Sequence, residues 1–264
     1  MSRNALSLRR PRAADMLARR RSRLESLRVT LPDSARTTIH VASYDLTTFR
    51  PRIVLLEHPA PLVRWCKQQG IRDAIVGGFF IRSRYAPLGE LQIDGQPRDT
   101  VPFAAPWGDL RACVQIDQHI RIARRDALVP LPGGDLLQAG PMLVAGGRRA
   151  FEDGDDQEGF AAGSHQFDSD ITDGRYPRAA LALAGDRLLA VACDGRTRRD
   201  AGMTLSELAG TLIELGASDA LNLDGGGSAS LVYAGRLRNR PREEHGVDLL
   251  DGRPILSAIV LESP

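Results

Sequence analysis

The chain is poor in several residue types, and each shortage removes a class of function. It has three cysteines in 264 residues, Cys66, Cys113 and Cys193. They are odd in number and far apart, which excludes a disulfide framework or a cysteine-based zinc site. Each sits among apolar neighbours and reads as a small buried hydrophobe. Aromatic residues make up 5%, too few for a stacking surface on single-stranded nucleic acid. No apolar run approaches the length of a membrane span. Lysine is nearly missing: of 35 basic residues only Lys67 is not arginine. With a net charge of +2, that bias reads as the coding of a GC-rich genome rather than as a surface for a polyanion.

What is present divides into an arm and a long patterned region. Residues 1–34 are dominated at their start by Arg3, Arg9, Arg10, Arg12, Arg19, Arg20, Arg21, Arg23 and Arg28, against Asp15 and Glu25. No apolar core follows Arg9 and Arg10, so a twin-arginine export signal does not fit. The stretch reads instead as an exposed helix over about 12–28, with nucleic-acid or anionic-membrane contact a weaker reading of the same charge. Lacking a recognisable leader, the sequence is expected to be cytoplasmic.

Residues 35–264 read as one domain. Short apolar alternations at 37–44, 52–56, 73–80, 89–93 and 111–116 predict strands. The stretch 60–69 predicts a helix closed by Gly70. A Gly185-Asp186 turn between 179–184 and 187–193 predicts a hairpin. Thr204-Leu205-Ser206-Glu207 is a capping box, and Leu205, Leu208, Ala209, Leu212 and Ile213 share one helical face. Strands at 219–224, 228–233 and 255–262 follow. Many strands with few, irregularly placed helices imply an α+β fold, a mixed and largely antiparallel sheet with a few packed helices, plus the helical arm.

One stretch calls for chemistry. Residues 221–230 read L-N-L-D-G-G-G-S-A-S. Three ordered glycines cost backbone entropy and give up side-chain contacts. Their N–H groups can converge into an anion-binding nest, with Ser228 adding a hydroxyl. No lysine follows and the next element is a strand, so neither a P-loop nor a dinucleotide fingerprint fits. A carboxylate at Asp224 repels an anion unless it acts on the attached atom or holds a metal. Structural turn and oxyanion site both remain open from spacing alone.

Further motifs surround this turn: G-G-F-F at 77–80, P-L-G at 87–89, D-G at 94–95, Q-A-G-P at 138–141, P-R-A-A at 177–180, D-G-R at 194–196, N-R-P at 239–241 and R-P-I-L-S-A-I-V at 253–260. Together with G-M-T-L-S-E-L-A and L-N-L-D-G-G-G-S, and in this order, they resemble the phosphodiester glycosidase family over roughly residues 37–262. Two positions depart from its pattern: Val76 stands where the family has asparagine, and Ala179 where it has threonine. The resemblance implies hydrolysis of a sugar 1-phosphodiester, giving free sugar and a phosphomonoester.

A phosphomonoester is a good leaving group, so the reaction needs charge stabilisation on the phosphate and one carboxylate near the anomeric carbon. On the resemblance, Asp224 is the expected base or nucleophile and Arg178 the bidentate phosphate clamp. Asn222, on the same strand face, would bond sugar hydroxyls. Gly225, Gly226, Gly227 and Ser228 would cradle the phosphate, with Asp194, Arg196, Asn239, Gly78 and Phe79 contributing to the pocket. No cofactor is expected, although a divalent metal beside Asp224 is compatible with the residues. His165, Asp168, Asp170 and Asp173 read as a solvated loop. His40 and His58 have no companions. Competing readings are a weakly active or non-catalytic domain that binds anionic or phosphorylated glycans, and a different phosphate hydrolase using the same cradle.

Overall fold

A computed structural model describes residues 22–129, 132–154, 156–160 and 172–263. Within them the chain builds three large antiparallel sheets and one two-stranded hairpin sheet (Phe80–Ile81 with Ala86–Pro87) from short strands. The largest sheet has seven strands. In spatial order its longer strands are β1 (Ser22–Thr30), β2 (Arg36–Asp45), β11 (Arg187–Cys193), β10 (Arg178–Ala184), β12 (Asp219–Asn222) and β9 (Met142–Ala145), with the two-residue strand Arg148–Arg149 at the edge. A five-stranded sheet holds β7 (Ile120–Arg124), β6 (Ala112–Ile116), β8 (Asp135–Gln138) and β5 (Leu91–Ile93), ending on Gln96–Pro97. The other runs from Arg236–Leu237 through β13 (Leu231–Tyr233), β4 (Ala74–Val76) and β14 (Pro254–Glu262) to β3 (Arg50–Pro61).

Alternation along the strands explains the packing, because successive side chains face opposite sides of a sheet. Ala42, Leu181, Leu188 and Leu221 point inward to the core shared with Ile53, Val114, Leu231 and Ile259 of the two smaller sheets. Val41, Ala180, Ala182, Leu189 and Ala220 point to the other face. That face is covered by a helix, α3 (Leu205–Glu214), whose Leu205, Leu208, Ala209 and Leu212 are buried. Each leucine so placed contributes about 2 kcal/mol. Its capping box forms as the sequence predicts, Thr204 accepting from the Glu207 N–H and Glu207 from the Thr204 N–H. The helix at 60–69 also forms, as α1 (Leu62–Gln69), with Gly70 left-handed at its end.

Two expectations of fold class are corrected. The described chain carries three short helices against this many strands, α1, α2 (Trp107–Leu110) and α3. It is mainly β rather than α+β. An N-terminal helical arm is not seen either: residues 22–30 are β1, paired along their whole length with β2 from Ser22↔Tyr44 to Thr30↔Arg36. Two of the arginines behind that expectation, Arg23 and Arg28, lie on an edge strand, where charge discourages further pairing. Arg28 pairs with the buried Asp200 at 2.5 Å. The rest of the expected helix, residues 12–21, lies outside the described residues, as do His165, Asp168 and Asp170.

Candidate active site

The glycine stretch sits where β12 leaves the large sheet. Asn222 is its last strand residue, paired with Ala180. The Leu223 N–H donates to Ala179 O at 2.9 Å and the Asp224 N–H to Gly77 O at 3.1 Å. The carboxylate is thereby delivered between two sheets, beside the G-G-F-F segment. Gly78 is held by its N–H to Ser257 Oγ at 3.0 Å, a bond that needs the bare Gly77 backbone. A Cβ on Gly77 would stand 2.5 Å from that hydroxyl.

The turn itself is built tightly. The Gly225 N–H donates to Asp224 Oδ1 at 2.9 Å, and the Gly226 N–H to Pro177 O at 2.8 Å. Gly226 has φ +58 and lies 3.5 Å, at its would-be Cβ, from the Arg196 guanidinium. A Cβ on Gly227 would meet Arg253 Nη2, Glu243 Oε1 and Leu249 Cδ1, each at 3.0 Å. The glycines therefore admit the protein's own arginines up to the backbone. Of the three N–H groups expected to cradle a phosphate, that of Gly225 is spent on Asp224 and that of Gly226 on Pro177 O.

Around Asp224 the charges converge from distant segments. Arg253 forms a two-point pair with Glu243, Nε to Oε1 at 2.7 Å and Nη2 to Oε2 at 2.5 Å. Arg196 gives Nη1 to Arg242 O at 2.8 Å and stands 4.0 Å from Glu243. Burial pushes the Asp224 carboxyl up to about 6. Ser228, Arg253, the Gly225 N–H and Arg82 all oppose that rise. The Ser228 hydroxyl is fully buried and meets no hydrogen-bond geometry, but its nearness to Asp224 favours the ionised form. For Glu243 burial acts upward, but the Arg253 bond and charge, with Arg82 and Arg196, hold it below the ordinary range.

The other residues expected at the site brace it. Arg178 is buried, its Nε bonded to Met203 O at 3.0 Å and Nη2 to Gly174 O at 3.2 Å. Its backbone borders Gly225, and its guanidinium lies 5.2 Å from the Tyr176 ring. Asn222 is 2% exposed. Its Nδ2 donates to Gly140 O at 3.0 Å, and its Oδ1 has no partner among the described residues. Asn239 accepts from the Leu231 N–H and donates to Ala229 O, at 2.9 and 2.7 Å, clamping the chain just after the turn. Asp194 accepts from the Arg240 N–H at 2.6 Å and lies 3.3 Å from His40 Nε2. His40 thus has a companion after all, and its Nδ1 is 2.9 Å from Ser26 Oγ. Phe79 packs in the core, 5.6 Å from Phe160.

Sequence reasoning missed Arg82, Glu243 and, as a site residue, Arg253. Arg253 stood in the motif at 253–260, and Arg82 directly follows the G-G-F-F hairpin strand. No residue pattern near Glu243 marked it. Among the described residues no group of three or more histidine, cysteine or acidic side chains could hold a metal. No helix there is long and apolar enough to cross a membrane.

No curated protein matches the sequence. Among solved structures, the catalytic domain of zebrafish N-acetylglucosamine-1-phosphodiester alpha-N-acetylglucosaminidase, auto-inhibited by its pro-peptide, is similar with a TM-score of 0.68 at 18% identity. The match covers 92% of this chain and 83% of that one. A hypothetical protein from Synechocystis gives 0.66 at 18% identity over 93% of this chain, which spans 62% of the Synechocystis chain. A putative exported protein from Burkholderia pseudomallei gives 0.63 at 16%, covering 88% of this chain and 75% of that one. These likenesses establish a shared fold. The sequence itself matches the phosphodiester glycosidase family over residues 69–262, a span that includes Asp224, all three glycines, Arg196, Glu243 and Arg253, and the chain belongs to that family.

Proposed function

We propose that the protein hydrolyses the sugar–phosphate linkage of a sugar 1-phosphodiester, releasing free sugar and a phosphomonoester. The observation that carries this reading is Asp224. It is a single carboxylate with one oxygen bonded to its own turn, raised to about 6 by burial, and set among arginines. A general base is most effective when its pKa lies near the working pH. Asp224 takes a proton from water as the water oxygen attacks the anomeric carbon. The bond from that carbon to the phosphate oxygen breaks, and its electron pair leaves with the phosphate. Arg196 and Arg253 supply positive charge where the leaving phosphate gathers negative charge. Glu243 fixes the Arg253 guanidinium in orientation. Arg178, Asn222, Asn239 and Asp194 hold the backbone that presents these groups.

The test is sugar release from N-acetylglucosamine 1-phosphodiesters and UDP-N-acetylglucosamine, followed by NMR of the anomer first formed. Inverted sugar from wild type and none from Asp224→Asn is the expected result. No release from a panel of such donors overturns the activity. Retained configuration would make Asp224 the nucleophile instead of the base.

A further inference from the structure

The site contains several arginines, but most of them are already committed to the protein. Arg253 spends its guanidinium on Glu243 at two points. Arg196 bonds the Arg242 carbonyl and shares Glu243. Arg178 holds the carbonyls of Met203 and Gly174. A phosphodiester approaching Asp224 brings a negative charge towards a carboxylate. Productive binding therefore needs a guanidinium that is free to turn its donors to the phosphate.

One arginine meets that need. Phe80–Ile81 and Ala86–Pro87 form a two-stranded hairpin, pairing Phe80 with Pro87 and Ile81 with Ala86. Its tip, Arg82-Ser83-Arg84-Tyr85, is exposed. The root of the hairpin is the segment that receives the Asp224 N–H at Gly77 O. Its other end is tied back by the Leu88 N–H to Phe79 O at 2.9 Å. The tip is ordered by the Arg84 N–H to Ile81 O and by stacking of Tyr85 on Phe80, with centroids 6.1 Å apart and planes 13° from parallel. Arg82 makes no hydrogen bond or ion pair within the described residues, yet its charge bears on both Asp224 and Glu243.

We propose that Arg82 is the phosphate-contacting residue of this site, swinging from the hairpin tip to bond the non-bridging phosphate oxygens above Asp224. The inference rests on the sugar-phosphodiester reading and adds to it the group that grips the anion. Two features support a contact made only with substrate. An exposed arginine loses side-chain freedom when it is fixed, so it stays unbonded until a charged acceptor offers short, charge-assisted bonds. The stacked Tyr85 and Phe80 rings hold the strand that carries it, so the swing needs only side-chain rotation.

The experiment compares Arg82→Ala and Arg82→Lys with Arg84→Ala, which removes the same charge two residues away on the same hairpin. KM and kcat are measured with an N-acetylglucosamine 1-phosphodiester, and the dissociation constant of inorganic phosphate is measured separately by calorimetry on the intact protein. Arg82→Ala is expected to raise both KM and the phosphate dissociation constant by about tenfold or more. Arg82→Lys should restore part of the affinity, as a point charge without the fork. Arg84→Ala should stay within about twofold of wild type. Equal effects of Arg82→Ala and Arg84→Ala, or an Arg82→Ala variant within about twofold of wild type in both readouts, overturn the proposal. If wild type releases no sugar but Arg82→Ala still weakens phosphate binding about tenfold, the Arg82 assignment stands and the hydrolase reading fails.

Discussion

Two carboxylates, the half-buried Asp224 and the buried Glu158, are displaced in the same direction and yet are held differently. Burial is the largest cause for both, raising Asp224 to about 6 and Glu158 to about 7. They differ in what is left of their oxygens. Glu158 Oε1 accepts from the Met142 N–H and Oε2 from the Ala112 N–H, each at 2.8 Å. Its backbone carbonyl takes Arg111 Nε at 2.9 Å, while that guanidinium lies between the rings of Phe103 and Phe160. Both oxygens of Glu158 are thus consumed in joining β6 to β9. Asp224 accepts one backbone N–H from its own turn, and Ser228 and the charges of Arg253 and Arg82 favour its ionised form. A raised pKa reports burial. Spare hydrogen-bonding capacity beside positive charge is what supports the role proposed for Asp224.

Removing each acid in turn separates their roles most clearly. Asp224→Asn is expected to lower kcat by about a thousandfold, the usual scale for loss of a general base, with the far-ultraviolet dichroism unchanged. Sugar release and dichroism on the same sample check it, and an active Asp224→Asn would end its role as base. Glu158→Ala should do the reverse. It leaves two buried backbone N–H groups without acceptors, costing about 3 kcal/mol of stability, while kcat of the folded fraction changes little. Urea unfolding monitored beside activity separates the two variants.

Asn239 tests whether the brace behind the turn matters as much as the turn. Asn239→Ala loses the bonds to Ala229 O and to the Leu231 N–H in a buried setting. A stability loss of about 2 kcal/mol follows. Loosened placement of Ser228 and Gly227 should also lower kcat/KM, by about tenfold. Steady-state kinetics with a melting curve decides whether the two losses come together. Asn239→Asp keeps the acceptor for Leu231 and should fall between.

Local signals in the chain were reliable where short-range chemistry decides. The capping box at Thr204 and Glu207, the αL glycine at 70 and the 185–186 hairpin turn each depend on neighbours within a few residues, and each is present. β1 departs from the expected helix because an arginine-rich composition carries no information about an edge strand. Only its nine-residue pairing with β2 decides its conformation. The same limit applied at the site. Asp224 and its glycines stood out because backbone requirements are written in single residues. The Arg253–Glu243 pair, the commitment of Arg178 to Met203 and Gly174, and the influence of the Arg82 charge on Asp224 join segments far apart in sequence. No local pattern encodes which arginine remains unspent. The motif order did carry family membership, since it samples the whole domain at once.

The smallest effect separates the two acids by sign in a stability measurement. Asp224 has a folded pKa raised from 3.8 to about 6, so its ionisation opposes folding. Stability linked to it is fully present below about 3.8 and is lost as pH rises through about 6. Asp224→Asn, which cannot ionise, should therefore match wild type near pH 4 and exceed it above pH 6. A full shift of this size would correspond to about 3 kcal/mol, but Asp224 is partly solvent-exposed, and screening reduces the gain to about 1 kcal/mol. That gain raises Tm by about 2–4 °C at pH 8. The catalytic reading requires the same ionisation from the other side: wild-type kcat/KM should climb about tenfold per pH unit up to about 6 and then level. Thermal melts across pH 4–8 on both proteins, beside the kinetic profile, check the pair. A Tm difference that does not grow with pH would mean that the protein stabilises the charged carboxylate as well as water does, and Asp224 would then resemble an ordinary surface acid more than a base held ready beside Arg82.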